Sequence, residues 1–176
     1  MIELAAPMTG DGCRAEPMAE AHRAALKAVC AEDPDIWAIY ATDFGPDEFD
    51  ASFDKIMVLP WIRFALYDGE AFVGMSCYLN IDASRQTLEI GSTFYHPSHR
   101  GSGFNARAKA MMLERAFDGG FRRVEFRVDA RNRRSQAAMT KLGAVREGVI
   151  RADRITWTGH VRDTVLFAIL KDEWPI

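Results

Sequence analysis

Hydrophobic and polar positions change their period along the chain, and each change marks an element. Met18, His22, Ala25, Leu26 and Val29 recur at helical spacing, so 18–31 reads as an amphipathic helix, with Pro17 suited to its first turn. Residues 12–16 read as a short strand ahead of it. Residues 32–46 hold Pro34, Gly45 and Pro46 and read as loop, with Ile36, Trp37 and Tyr40 as an apolar insertion. A second helix is expected at 47–59. After Pro60 the segments 62–68, 71–80 and 87–95 become rich in apolar and β-branched residues. Asp68-Gly69 is a hairpin signal between the first two, and a polar loop at 82–86 precedes the third. These three segments read as an antiparallel meander.

The period then returns to that of a helix. Phe104, Ala108, Met111, Met112 and Ala116 fall within one arc, so 104–118 is predicted helical, stopped by Gly119-Gly120. Val124, Phe126 and Val128 alternate with charged neighbours and predict a strand at 122–128. Asn132 opens a further helix that Gly143 closes, and 144–154 and 161–170 read as two final strands. The predicted order is α, α, β, β, β, α, β, α, β, β: an α/β chain, with a mixed sheet carrying helices on its faces.

Composition narrows the class. At 176 residues the chain fits one domain, taken here as 1–176. With 48% hydrophobic and 27% charged residues it is globular rather than disordered. A formal charge of −3 argues against nucleic acid as the main partner. No apolar run is long enough to span a bilayer, and the first residues, with Glu3 and Asp11, do not read as a secretory leader. Three scattered cysteines suit neither a disulfide framework nor a metal site. The expectation is a cytoplasmic protein with no metal and no membrane partner, monomeric or a homodimer.

Chemistry is concentrated at two strand-to-helix junctions. The first is Arg100-Gly101-Ser102-Gly103-Phe104-Asn105. Glycines there let the backbone approach a ligand, and free N–H groups with the helix dipole suit a phosphate. Gly101-x-Gly103-x-x-Ala106 also matches a dinucleotide fingerprint. However, five residues separate the strand end from the first glycine, and the upstream hairpins do not fit a repeated parallel unit. The second junction is Asp129-Ala130-Arg131-Asn132-Arg133-Arg134-Ser135, in which Asn132 also serves as a natural helix cap. His96 and His99 precede the first junction and read as loop-packing or surface residues. Met111 and Met112 read as core filler. Trp37, Tyr40 and Trp157 are open to either a core or an acceptor-pocket role.

Taken together, the two junctions, about 30 residues apart after an antiparallel meander, resemble the GNAT superfamily of acetyl-CoA-dependent N-acetyltransferases. The superfamily's pyrophosphate loop maps onto Arg100, Gly103 and Asn105, with Asn standing where the pattern has Gly or Ala. Asn132-x-x-Ser135 followed by Lys141-Leu142-Gly143-Ala144 is similar to the RimJ/RimL branch, which acetylates protein N-terminal amines. So are Glu89-Ile90-Gly91, Arg122-Arg123-Val124-Glu125-Phe126, Gly143 to Gly148 and Arg162-Asp163-Thr164. The resemblance is close over about 60–174 and loose over 12–59.

The resemblance implies a mostly antiparallel sheet, splayed where acetyl-CoA lies. The pantetheine arm would pair with backbone at Thr93, Phe94 and Tyr95, and the pyrophosphate would take N–H groups of Arg100, Gly101, Ser102, Gly103, Phe104 and Asn105. Asn132 would contact the pantetheine or support its pocket. The amine attacks the thioester directly in a ternary complex. Strand alternation is expected to place Glu89, Gly91 and Thr93 on one face, which makes Glu89 the candidate base, acting through water. Many relatives place an acidic tyrosine where this chain has Met139; the branch offers Ser135 instead as proton donor to the thiolate, with water as the rival. The acceptor is expected to be a protein α-amine, with a small-molecule amine as the alternative. A non-catalytic acyl-CoA-binding module is kept open by Met139 and Asn105.

Overall fold

The computed structural model describes residues 3–175. Two short strands, β1 (Met8–Gly10) and β2 (Cys13–Pro17), lead into α1 (Arg23–Ala31) and α2 (Phe49–Met57). A meander follows: β3 (Ile62–Asp68), β4 (Ala71–Asp82) and β5 (Thr87–Tyr95). Next come α3 (Phe104–Asp118), β6 (Arg123–Asp129) and α4 (Arg133–Leu142), then the hairpin of β7 (Val145–Ile155) and β8 (Val161–Leu170). One sheet has the order β1-β2-β3-β4-β5-β6-β8-β7. Every neighbouring pair is antiparallel except β5 and β6, which run parallel. The mixed sheet and its helices match the predicted class.

Successive strand residues face opposite sides of a sheet, and this divides the core. Phe64, Leu66, Tyr78, Ile90 and Phe126 pack with Met111, Met112 and Leu113 of α3 and Met139 of α4. Ala65, Met75 and Phe94 pack with Leu26 of α1, Phe49 and Phe53 of α2, and Trp37.

The structure corrects the expected start of the chain. Pro17 ends a strand, opposite Phe64, instead of opening a helix. The Met18 N–H is still committed to the Arg63 carbonyl at 2.8 Å, so the chain cannot coil there. A short 3-10 turn at Glu20–His22 then precedes α1. Strand β1 was not expected: three residues carry too little pattern to be read, and pairing with β2 defines it. The apolar insertion at 34–39 is a 3-10 helix that buries Ile36 and Trp37.

The opening between β5 and β6 positions the site. They pair only through Thr87, Leu88 and Glu89 against Arg123, Val124 and Glu125. Beyond that point β5 stays with β4 as far as Tyr95, whereas β6 stays with β8 as far as Asp129. The two strands diverge and leave a wedge with two strand edges facing it. Opposite Ser76, β5 carries an extra residue, and Ser92 takes a left-handed φ of 47°. Such a bulge bends its strand and increases its twist.

Candidate active site

The wedge contains a cavity of about 310 Å³. Gly91, Ser92, Thr93 and Tyr95 line it from β5; Phe126, Arg127, Val128 and Asp129 line it from β6. Arg100, Gly101, Asn105 and Lys109 form the wall contributed by α3 and the loop before it. Asn132, Ser135 and Met139 contribute from α4, and Tyr40 and Trp61 close the side towards α1 and α2.

Glu89 sits at the closed end, on the last β5–β6 pair. It is 6% exposed, and burial raises its carboxyl above the ordinary range. Opposing this are a 2.7 Å hydrogen bond donated by Asn80 and the charges of Arg127 and Arg154. Arg127 Nε lies 3.5 Å from the carboxylate without aligning as a hydrogen bond. Glu89 is therefore a cavity-lining carboxylate that protonates more readily than a surface glutamate, as a base must.

Glu89 and Thr93 do not share a face, contrary to the sequence reading. The bulge at Ser92 resets the alternation: Glu89 and Gly91 lie opposite Leu79 and Cys77, whereas Thr93 turns its hydroxyl towards Ser76 and α3. A one-residue insertion flips every side chain after it. The Thr93 carbonyl accepts a 2.9 Å hydrogen bond from Tyr40. Phe94 places its ring in the core, 4.5 Å from Trp37, leaving only its backbone near the wedge.

The glycine-rich turn ends in α3. Gly103, at φ +89°, immediately precedes its first residue, a left-handed conformation that L side chains rarely adopt. A Cβ there would meet nothing within 4 Å, so the need for glycine is conformational. Ser102 donates to the His99 carbonyl at 2.9 Å and accepts from the Phe104 N–H at 3.3 Å. The Phe104 ring is fully buried and fixes the helix to the sheet. Arg100 lies 5.3 Å over the Phe94 ring and is ion-paired with Asp33, which offsets the positive charge expected of it.

At the second junction Asn132 caps α4, accepting from the Ser135 N–H at 3.0 Å. The Ser135 residue lines the cavity one turn ahead of buried Met139. Neither His96 nor His99 lines it; His96 bonds Ser98 at 2.7 Å, and His99 is 3.8 Å from Asp68. Trp37 is core. Trp157 is half exposed and donates to the Trp37 carbonyl at 2.9 Å.

Three residues that line the cavity carry no individual role in the sequence reading. Asp129 is buried at the mouth of the wedge. Burial works to raise its pKa, but hydrogen bonds from Arg131 prevail and hold it below the ordinary range. Arg162, 6% exposed, lies 3.9 Å from Asp129. Lys109 is 3% exposed on the inner face of α3. The signal for Lys109 was present: seven residues before Ala116 and three before Met112, it lies within the apolar arc of its helix. No periodicity reveals the other two, because strand pairing brings β6 and β8 together.

Comparison with known proteins agrees with this geometry. No curated protein matches the chain. Among solved structures, an acetyltransferase candidate from T. thermophilus is 33% identical at a TM-score of 0.87, covering 96% of this chain and 91% of its own. A GNAT-family candidate from Chromobacterium violaceum is 26% identical at 0.89, covering 97% and 88%. A GCN5-related N-acetyltransferase from Brucella melitensis is 27% identical at 0.87, covering 96% and 80%. A family model described as an acetyltransferase (GNAT) domain matches residues 14–145, and the chain belongs to that family.

Proposed function

We propose that this protein transfers an acetyl group from acetyl-CoA to the α-amine of a protein or peptide, by direct attack within a ternary complex. The observation that carries the reading is the wedge. Two diverging strand edges suit an extended arm with amide groups, which can pair there as a strand would. Gly101 and Asn105, on either side of the glycine-led start of α3, line the same cavity, and that start suits the pyrophosphate because helix N-termini favour anions. The residues proposed to hold the cofactor are Arg100, Gly101, Ser102, Gly103, Phe104 and Asn105 at the pyrophosphate, Phe94 and Tyr95 through their backbone, and Asn132.

Glu89, at the apex, takes the proton of the attacking amine, directly or through water. An α-amine has an ordinary pKa near 7.7–8.0, against about 10.4 for a lysine-like amine. The α-amine therefore asks less of this base. The charges around Glu89 point the same way: Arg127, Arg154 and Arg162 also line the cavity, and they disfavour a polycation. Ser135 offers its hydroxyl to the leaving sulfur from the wall of α4.

Structural neighbours include a Mycobacterium smegmatis RimJ bound to CoA-disulfide, 20% identical, and a Vibrio cholerae spermidine N-acetyltransferase bound to CoA and spermine, 16% identical. At such identities they share the fold and leave the acceptor open. The test is thiol release from acetyl-CoA against a panel of peptides with free and blocked N-termini, polyamines and small amines. Free N-termini are expected to react fastest. Turnover confined to polyamines or small amines overturns the α-amine assignment, and no turnover with any amine leaves the non-catalytic acyl-CoA module.

A further inference from the structure

Among the described residues, Lys109 is a buried lysine with no carboxylate in contact. Its Nζ lies 2.7 Å from Thr93 Oγ1 and 3.3 Å from Ser76 Oγ, two hydroxyls themselves 2.7 Å apart. The Phe126 ring is 5.8 Å away. A lysine is almost never fully buried without a pairing partner. Here two hydroxyls accept from it, and the residue lines the cavity of the wedge. An ammonium has three N–H donors, so after these two bonds one position on nitrogen remains for a ligand.

We propose that Lys109 supplies the proton that the leaving thiolate of coenzyme A takes up. This inference rests on the acetyl-transfer reading above. When the tetrahedral adduct collapses, the carbon–sulfur bond breaks and its electron pair stays on sulfur. An N–H of the Lys109 ammonium passes its proton to that sulfur, leaving a neutral amine and a free thiol. Lys109 is recharged from solvent, while the proton of the attacking amine leaves through Glu89, so protons balance over the cycle. Ser135 can hydrogen-bond the sulfur, but a hydroxyl is a far weaker acid than a thiol and cannot be left as an alkoxide.

The groups facing Lys109 fit the task. Burial pulls its pKa down to about 7, and the charge of Glu89 acts in the opposite direction. The Cys77 thiol, from β4, is itself held neutral by burial, at about 12. The Lys109 ammonium is thus a better proton donor than a thiol with an ordinary pKa near 8.5, and it can be both charged and neutral near neutral pH.

The test reads Lys109 directly. The Cε resonances of carbon-labelled lysine are followed against pH with coenzyme A bound, and again with desulfo-coenzyme A, which lacks the sulfur. One of the five lysines is expected to titrate near 7, to be absent in Lys109→Met, and to titrate differently with the two ligands. Identical titration with both ligands overturns the contact with sulfur. In turnover, Lys109→Met is expected to lose about 10²–10⁴ in kcat while binding coenzyme A within a few fold of wild type. It should also lose the fall in rate on the alkaline side that deprotonation of Lys109 imposes. A Lys109→Met enzyme with wild-type kcat and pH profile overturns the proposal. The resonance test needs no acceptor, so it stands or falls separately from the acetyl-transfer reading, and it uses the wild-type fold.

Discussion

Glu89 and Asn132 show how differently two polar residues can be placed. Glu89 is enclosed and faces a cavity; Asn132 is held by its own helix. Glu89→Gln is expected to lower kcat by about 10²–10⁴ with little change in acetyl-CoA affinity. Its deficit should shrink as pH rises and free amine accumulates, which a pH–rate profile with one peptide measures. Ser135→Ala should reduce kcat without that rescue. Asn132→Ala removes a cap worth about 1 kcal/mol and should lower stability by that amount in urea titration; unchanged coenzyme A affinity would show it to be a cap alone.

Lys109 adds a stability signature at this scale. Its folded pKa lies below the unfolded one, so between about 7 and the ordinary lysine range the unfolded chain binds the extra proton. Stability from this group therefore rises with pH across that window and is flat below it. Urea titrations on both sides of pH 7 should show the gap between wild type and Lys109→Met changing only above about 7, in favour of wild type.

Among the elements, the β4–β5 pair and the start of α3 decide whether the wedge forms. Gly74 sits at φ +154° opposite Tyr95 of β5, and a Cβ there would lie 2.1 Å from the Phe94 carbonyl oxygen. Gly74→Ala must push the strands apart, and is expected at the severe end of point-mutant effects, at least about 3 kcal/mol, by chemical denaturation. Gly103→Ala meets no neighbour but must hold a left-handed φ, costing about 1–2 kcal/mol. It should weaken coenzyme A binding measured by calorimetry, because relief of the strain turns the first N–H groups of α3 away. Coenzyme A affinity unchanged in a folded Gly103→Ala or Gly103→Val protein would remove the turn from the site.

For the molecule as a whole, a ligand that bridges β5, β6, α3 and α4 binds only the folded state. At a hundred times its dissociation constant, coenzyme A should add about 2.7 kcal/mol, which for a chain of this length raises Tm by roughly 5–10 °C. Hydrogen exchange should slow at 91–95 and 126–128 on binding and stay unchanged at 64–66, where β3 is already paired on both edges. Equal slowing everywhere would place the ligand outside the wedge.

Sequence alone determined most elements and both junctions, because local chemistry suffices for them. Helical spacing marked 104–118, Asn132 and Gly143 bracketed α4, and Asp68-Gly69 turned the hairpin. Resemblance, resting on the order of short motifs, pointed to the family that the comparison bears out. Only the tertiary structure decided which side chains share the cavity. The bulge at Ser92 lies inside a run that reads as plain alternation, and it is visible only in the register against β4, where it turns Thr93 from the side of Glu89 towards Lys109. Arg162 and Asp129 meet because β8 pairs with β6, across more than 30 residues of chain. Lys109 reaches the wedge because β5 and β6 separate after Glu89. Pattern along a chain reports which face a residue takes within its own element; where two elements part, and what then lines the gap, is fixed by packing between segments far apart in sequence.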